Sequence, residues 1–213
     1  MKRVLLSAIA LLSLAALCGC AKSPPVQQVW RSPRVDLKPY EIIGMVEFTS
    51  SSKGELATLA THRFAEAARR DQEMLRMVDL GTQKQALRSV GRNEWGRESY
   101  QVIGREHGLK SMFQGTLTLS KVQPNVQISS LLRSGQVTAN VSATLEVQMV
   151  EVETGASIWS RSASATRTLG HVSVLGGHDY VFDAADPEAA YGELVDALVA
   201  QVARDLQGSW VTQ

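Results

Sequence analysis

The chain has 213 residues, 44% of them hydrophobic and 20% charged, a balance that excludes both a disordered tail and a multi-spanning membrane protein. Its 22 Lys plus Arg stand against 21 Asp plus Glu, so no cationic surplus is available to neutralise a run of phosphates, and nucleic acid is a poor partner class. The length suits one domain of ordinary size with something attached, and no repeat array is present.

The attachment is legible at the N-terminus. Lys2 and Arg3 form a positive region, and Val4 to Leu17 an apolar stretch of about 14 residues, short of the roughly 20 needed to span a bilayer, so residues 1–19 read as a signal peptide. The segment ends Leu17-Cys18-Gly19-Cys20, which resembles a bacterial lipobox. That resemblance implies acylation of Cys20 and cleavage in front of it. Cys18 and Cys20 are the only cysteines, so no disulfide can staple the folded domain. Acyl chains contribute about 0.8 kcal/mol per buried methylene and two signals suffice for durable anchoring. Ala21, and not Asp, follows the cysteine; under the enteric sorting rule this resembles, the lipid-anchored protein goes to the outer membrane and faces the periplasm. Removing residues 1–19 takes away Lys2 and Arg3 and no acid, leaving no polybasic patch to assist the anchor.

Residues 20–40 read as the lipidated cysteine and a tether. Four of the six prolines lie in this stretch, which at about 3.1 Å per residue reaches at most about 60 Å. Trp30 is unusual in a free tether: it packs on its own domain or serves as an oligomer contact.

Residues 41–213 read as a single α/β domain. Glu41 to Phe48 is a near-continuous apolar strand, suited to a sheet covered on both faces. Thr49 to Gly54 is a polar turn. Leu56, Leu59, Ala60, Phe64, Ala67 and Ala68 then recur at helical spacing, with Arg69 and Arg70 where the helix dipole favours cations. A short strand over 74–80 and short helices over 82–90 and 97–107 follow, the last closed by Gly108 as a left-handed cap. Leu109 to Leu119 switches to period two. Val137 to Met149 alternates without a break, and Val150 marks a bulge. Glu153-Thr154-Gly155-Ala156 is a hairpin turn leading into a second alternation, Ile158 to Leu169. The last helix starts at Asp186 as N-cap with Pro187 in its first turn, and buries Tyr191, Leu194, Val195, Leu198, Val199, Val202 and Leu206. The sum is an α/β sandwich, a mixed sheet with helices packed on it.

The opening strand Ile43-Gly44-Met45-Val46-Glu47-Phe48, the stretch from His107 to Leu117 and the stretch Leu145 to Ser160 together resemble the curli-secretion channel lipoproteins. The holdfast-anchoring lipoproteins and the lipoprotein activators of penicillin-binding proteins are similar. Lys110-Ser111 stands where that family commonly has an Ala-Asp pair, and Glu151 where many relatives have Asp. The resemblance spans about residues 41 to 207 and implies a homo-oligomeric, non-enzymatic protein of secretion or assembly at the cell envelope. The alternative it implies is a regulator that activates a peptidoglycan synthase, which a tether of about 60 Å disfavours. A channel would need two hairpins able to cross the membrane. Candidates are 117–145, long enough for two strands of about 10 residues, and 163–183, whose return arm is too short.

No HExxH, GxSxG, Walker or GxGxxG motif is present. The best cluster for chemistry, His171, Ser173, His178 and Asp179 around Gly176-Gly177, reads as a solvated hairpin tip more readily than as a hydrolase or metal site. His62 and His107 are placed on helices as structural residues. The expectation is no catalytic residue, no metal and no cofactor beyond the lipid on Cys20.

Overall fold

The run Ile42–Met45 is apolar on both sides because both its faces are covered. In the computed structural model, which describes residues 27–125, 138–169, 172–175, 179–182 and 186–212, these residues form a central parallel strand. The described residues divide into a large unit, Arg31–Ser209, and a small one combining the chain up to Trp30 with that from Trp210 onward.

In chain order the strands are β1 (Gln28–Arg31), β2 (Ile42–Met45), β3 (Thr49–Ser50), β4 (Lys53–Gly54), β5 (Arg76–Asp79), β6 (Ser111–Asn125), β7 (Thr138–Glu151), β8 (Ser157–Leu169), β9 (Val172–Leu175), β10 (Asp179–Phe182) and β11 (Ser209–Thr212). The α-helices are α1 (Leu56–Arg69), α2 (Gln83–Ser89), α3 (Arg97–His107) and α4 (Pro187–Val202). The main sheet has the order β5-β2-β6-β7-β8, with β3 beside β6. Pairing of β2 with β5 and β6 is parallel, whereas β6, β7 and β8 form an antiparallel meander. The mixed-sheet α/β architecture expected from the sequence is therefore the fold. Among the described residues no helix is long and apolar enough to cross a membrane.

Strand periodicity sorts the core into two clusters. Ile43, Met45, Phe113, Leu117, Leu145 and Met149 face α1 and α4, meeting Phe64, Tyr191, Leu194 and Leu198. Residues of opposite parity, Ile42, Val46, Met112 and Val150, meet Ala86 of α2 and Tyr100 and Ile103 of α3. Phe64 sits at the centre of the first cluster, edge-on to Phe113 at 5.2 Å. Arg63 links the two helices of that layer by bonding Glu188, and lies 3.9 Å from Asp196. That hydrogen bond to Glu188 is the main cause holding its guanidinium above the ordinary arginine range.

The expected caps are in place. Asp186 accepts the Ala189 amide at 3.1 Å and Pro187 opens α4, while Gly108 closes α3 at φ +65°. The register shift at Met149/Val150 is the expected bulge, and a second, at Leu119/Lys121, had no sequence signal.

Three elements depart from the sequence reading. The turn expected over 49–54 contains β3 and β4, because Thr49 and Ser50 find open backbone partners on β6 and Lys53 and Gly54 on β10. Past α4 the chain tightens into a 3-10 turn, Ala203–Leu206, and then makes β11. Residues assigned to the tether join the domain: Leu37 is fully buried, Val35 packs beside it, and Lys38–Tyr40 forms a 3-10 turn. As the short return arm implied, the described part of the candidate hairpin over 163–183 is the end of β8 and two four-residue strands, with β10 paired to β4. The hairpin over 117–145 is a β6–β7 ladder that carries the register shift at Leu119/Lys121 and runs as far as the pair Asn125 and Thr138.

In the small unit, β1 pairs with β11. Trp30 packs on Trp210 with ring centroids 5.3 Å apart, and the two rings remain 42% and 64% exposed.

Candidate functional site

Helices α2 and α3 are short, of 7 and 11 residues, and cover only part of their face of the sheet. Beyond them, among the described residues, one face of the meander has no layer above it. Thr116, Thr118, Glu146, Ser160, Ser162, Ser164, Thr166 and Thr168 are exposed there. Their parity is set by the opposite face, where Val141, Ala143, Leu145, Val147 and Met149 are buried. The hydroxyls pair across strands: Ser142 with Thr166 at 2.9 Å, Thr144 with Ser164 at 2.7 Å, and Thr168 donating to Asn140 at 2.6 Å. Such ladders keep an uncovered sheet polar and in register.

Where this face meets α3 it forms an open cleft of about 740 Å³. Gln83, Trp95, Tyr100, Gln114, Glu146, Gln148, Ser160 and Ser162 line it. Trp95 donates its indole N–H to Gln114 Oε1 at 2.7 Å, and Gln114 Nε2 donates to the Tyr100 hydroxyl at 3.4 Å. The Trp95 and Tyr100 rings meet edge-to-face at 5.2 Å. Gln114, itself 7% exposed, thus locks two aromatic rings at the mouth of a polar floor.

β8 is the outer strand of the sheet, pairing only with β7 among the described residues. Arg161, on its core-side parity, reaches the buried Asp205: Nε donates to Oδ2 at 2.7 Å and Nη2 bonds the same oxygen. Asp205 Oδ1 has no hydrogen-bond partner and lies 3.8 Å from Arg34 Nη1. The guanidinium is therefore engaged by Asp205, while Arg161 also lies at the cleft's lining.

Leu17, Cys18, Gly19 and Cys20 lie outside the described residues, as do His171 and His178. Ser173 and Asp179 fall in the β9–β10 pair. His62 is in α1 and His107 ends α3. Among the described residues no group of three His, Cys, Asp or Glu is arranged to hold a metal. The cleft residues were not singled out by sequence; Gln114 inside the apolar stretch Met112–Leu117 was the available signal.

No protein-family model matches the chain, and no curated protein matches it. Solved structures do. The chain is similar to the PelC dodecamer from Paraburkholderia phytofirmans, with 14% identity, 85% of this chain and 98% of that chain covered, and a TM-score of 0.44. It is similar to the LpoB C-terminal domain from Salmonella enterica at 15% identity, covering 58% and 81% with a TM-score of 0.37. Lipoprotein GNA1162 from Neisseria meningitidis gives 13% identity, 60% and 83% coverage and a TM-score of 0.37. These are likenesses of outline, and no residue role is carried over from them.

Proposed function

We propose that the chain is an outer-membrane lipoprotein, anchored through Cys20 and facing the periplasm, that acts in the cell envelope without catalysis or cofactor by binding a protein partner or copies of itself. The observation that supports this reading is β8: thirteen residues at the edge of the sheet, unpaired on their outer side among the described residues and flanked by an uncovered polar face. A long free edge offers backbone donors and acceptors to another chain. Trp30, exposed beside Trp210, is a second proposed contact.

Of the two finer readings, regulation of a peptidoglycan synthase is preferred to a secretion channel. β9 and β10 have four residues each, against the about 9–11 of a membrane strand, and β10 is engaged by β4. With Leu37 in the core, the tether is shorter than the sequence implied, so a synthase partner has to present its contact region on the outer side of the periplasm.

Two experiments test this. Cys20→Ser should shift the protein from the outer-membrane fraction to the soluble periplasm; retention in the membrane overturns the anchor. Purified lipoprotein should raise glycan polymerisation by a synthase from the same cell and leave planar bilayers non-conducting. Discrete conductance steps would instead restore the channel.

A further inference from the structure

We propose that the cleft between α3 and the uncovered face of the meander is a binding site for an uncharged oligosaccharide, which rests against Trp95 and hydrogen-bonds the floor through its hydroxyls. Three features of the cleft select that chemistry. Its volume, about 740 Å³, lies within the roughly 300–1,000 Å³ of small-molecule sites and suits two or three sugar rings. Its aromatic wall is preorganised, because Gln114 bonds both Trp95 and Tyr100 and so holds the indole against rotation. A rigid aromatic ring contacts the C–H face of a sugar at little entropic cost.

The floor decides between ligand classes. Glu146, Gln148, Ser160 and Ser162 line the cleft with no hydrogen bond or ion pair of their side chains among the described residues. They offer acceptors and donors in the alternating fashion that vicinal hydroxyls match. The one cationic residue at the lining, Arg161, is spent on Asp205. An anionic ligand would meet Glu146, with Arg161 already paired to Asp205, so an uncharged ligand is favoured over phosphate or carboxylate. An extended peptide fits poorly as well, since the backbone groups of β6 and β7 in this floor are consumed by the ladders and only side chains remain there to recognise it. The proposal does not depend on the lipid anchor or on the free edge of β8.

The test uses the full lipidated chain in a detergent without a sugar headgroup, which would compete for the site. N-acetylchitotriose, cellotriose and maltotriose are titrated at millimolar concentration, read by saturation-transfer NMR and by indole fluorescence. At least one should bind saturably, and the double variant Glu146→Ala, Gln148→Ala should weaken it at least about tenfold. Both side chains lie outside the two hydrophobic clusters, so the variant's thermal transition should match the parent's. Trp95→Phe, which keeps a ring but loses the indole N–H to Gln114, should bind more weakly than the parent and more tightly than Trp95→Ala, with both variants keeping the parent's far-UV circular dichroism. Absence of binding by all three sugars, or binding unchanged in the double variant, overturns the proposal. So does binding of an acidic or unstructured peptide in the cleft where no sugar binds.

Discussion

Gln72 accepts the backbone amide of Leu37 on its Oε1 at 3.0 Å, inside the domain. Its Nε2 donates to the carbonyls of Val35 at 2.8 Å and Leu206 at 2.9 Å. One buried amide side chain thereby ties the segment entering the domain, the turn after α1 and the end of the last helix. Removing it leaves three backbone groups without partners where water has little access. Gln72→Ala should cost about 2–3 kcal/mol in urea denaturation, while Met74→Ala, at a side chain 94% exposed, should change stability by less than about 0.5 kcal/mol.

The clasp between Arg161 and Asp205 makes a comparable prediction for β8. Asp205 is 7% exposed, whereas the Arg161 side chain is 46% exposed, so the pair is partly screened by solvent. Arg161→Ala leaves a buried carboxylate with only the largely exposed Arg34, 3.8 Å away, as counter-charge. It should destabilise more than Asp205→Asn, which removes the charge and keeps the shape. Thermal unfolding of both variants measures the order, and equal losses would refute it.

Gly115 leaves no room for a side chain on its strand, β6. A Cβ there would come within 2.8 Å of the Phe48 ring and of the Glu146 carbonyl oxygen. Backbone of a paired strand cannot give way as a side-chain tip does. Gly115→Ala should lower stability by about 1–3 kcal/mol, read as a fall in the urea midpoint. Gly96→Ala, where nothing lies within 4 Å, is the matched control.

At the start of α2, Thr82 accepts the Gln85 amide at 3.2 Å and Gln85 Oε1 accepts the Thr82 amide at 2.8 Å. This reciprocal cap serves a helix of seven residues, too short to persist on propensity alone. Thr82→Ala should cost about 1 kcal/mol and raise amide exchange over Gln83–Ser89 before it affects β6.

Trp30 and Trp210 expose aromatic surface in the small unit. If that surface is the oligomer contact proposed above, Trp30→Ala should reduce the mass measured by light scattering of the detergent-extracted protein. An unchanged mass assigns the pair to packing within one chain.

Much of the fold was legible because strand and helix periods are local. The unbroken alternation through Val137–Met149 and the helical spacing of Tyr191, Leu194, Leu198 and Val202 each declare a buried face without knowledge of what covers it. The pieces missed are those whose structure comes from a distant partner. Thr49–Ser50 is two residues long and becomes a strand only because Thr116 and Leu117 stand beside it. β4 depends in the same way on β10. Leu37 looked like part of a proline-rich tether because the residue that holds it, Gln72, is 35 positions away.

The candidate site was less legible than the fold. Trp95, Gln114, Glu146 and Ser160 come from a loop and three strands, with no spacing that links them, and each alone reads as an ordinary loop or strand residue.

The amino-acid sequence by itself determined the mixed α/β class and the inward face of each long element, and it carries the expectation of a signal segment and a lipidated Cys20, since all of these follow from local composition and period. Tertiary structure decided which side of the meander stays bare, that β8 ends the sheet, and that Trp95, Glu146 and Gln148 line one cleft. The bare face and the shared cleft depend on how far α2 and α3 extend over the sheet and on which strands find partners, and no local pattern encodes the distance between residues that meet only after folding.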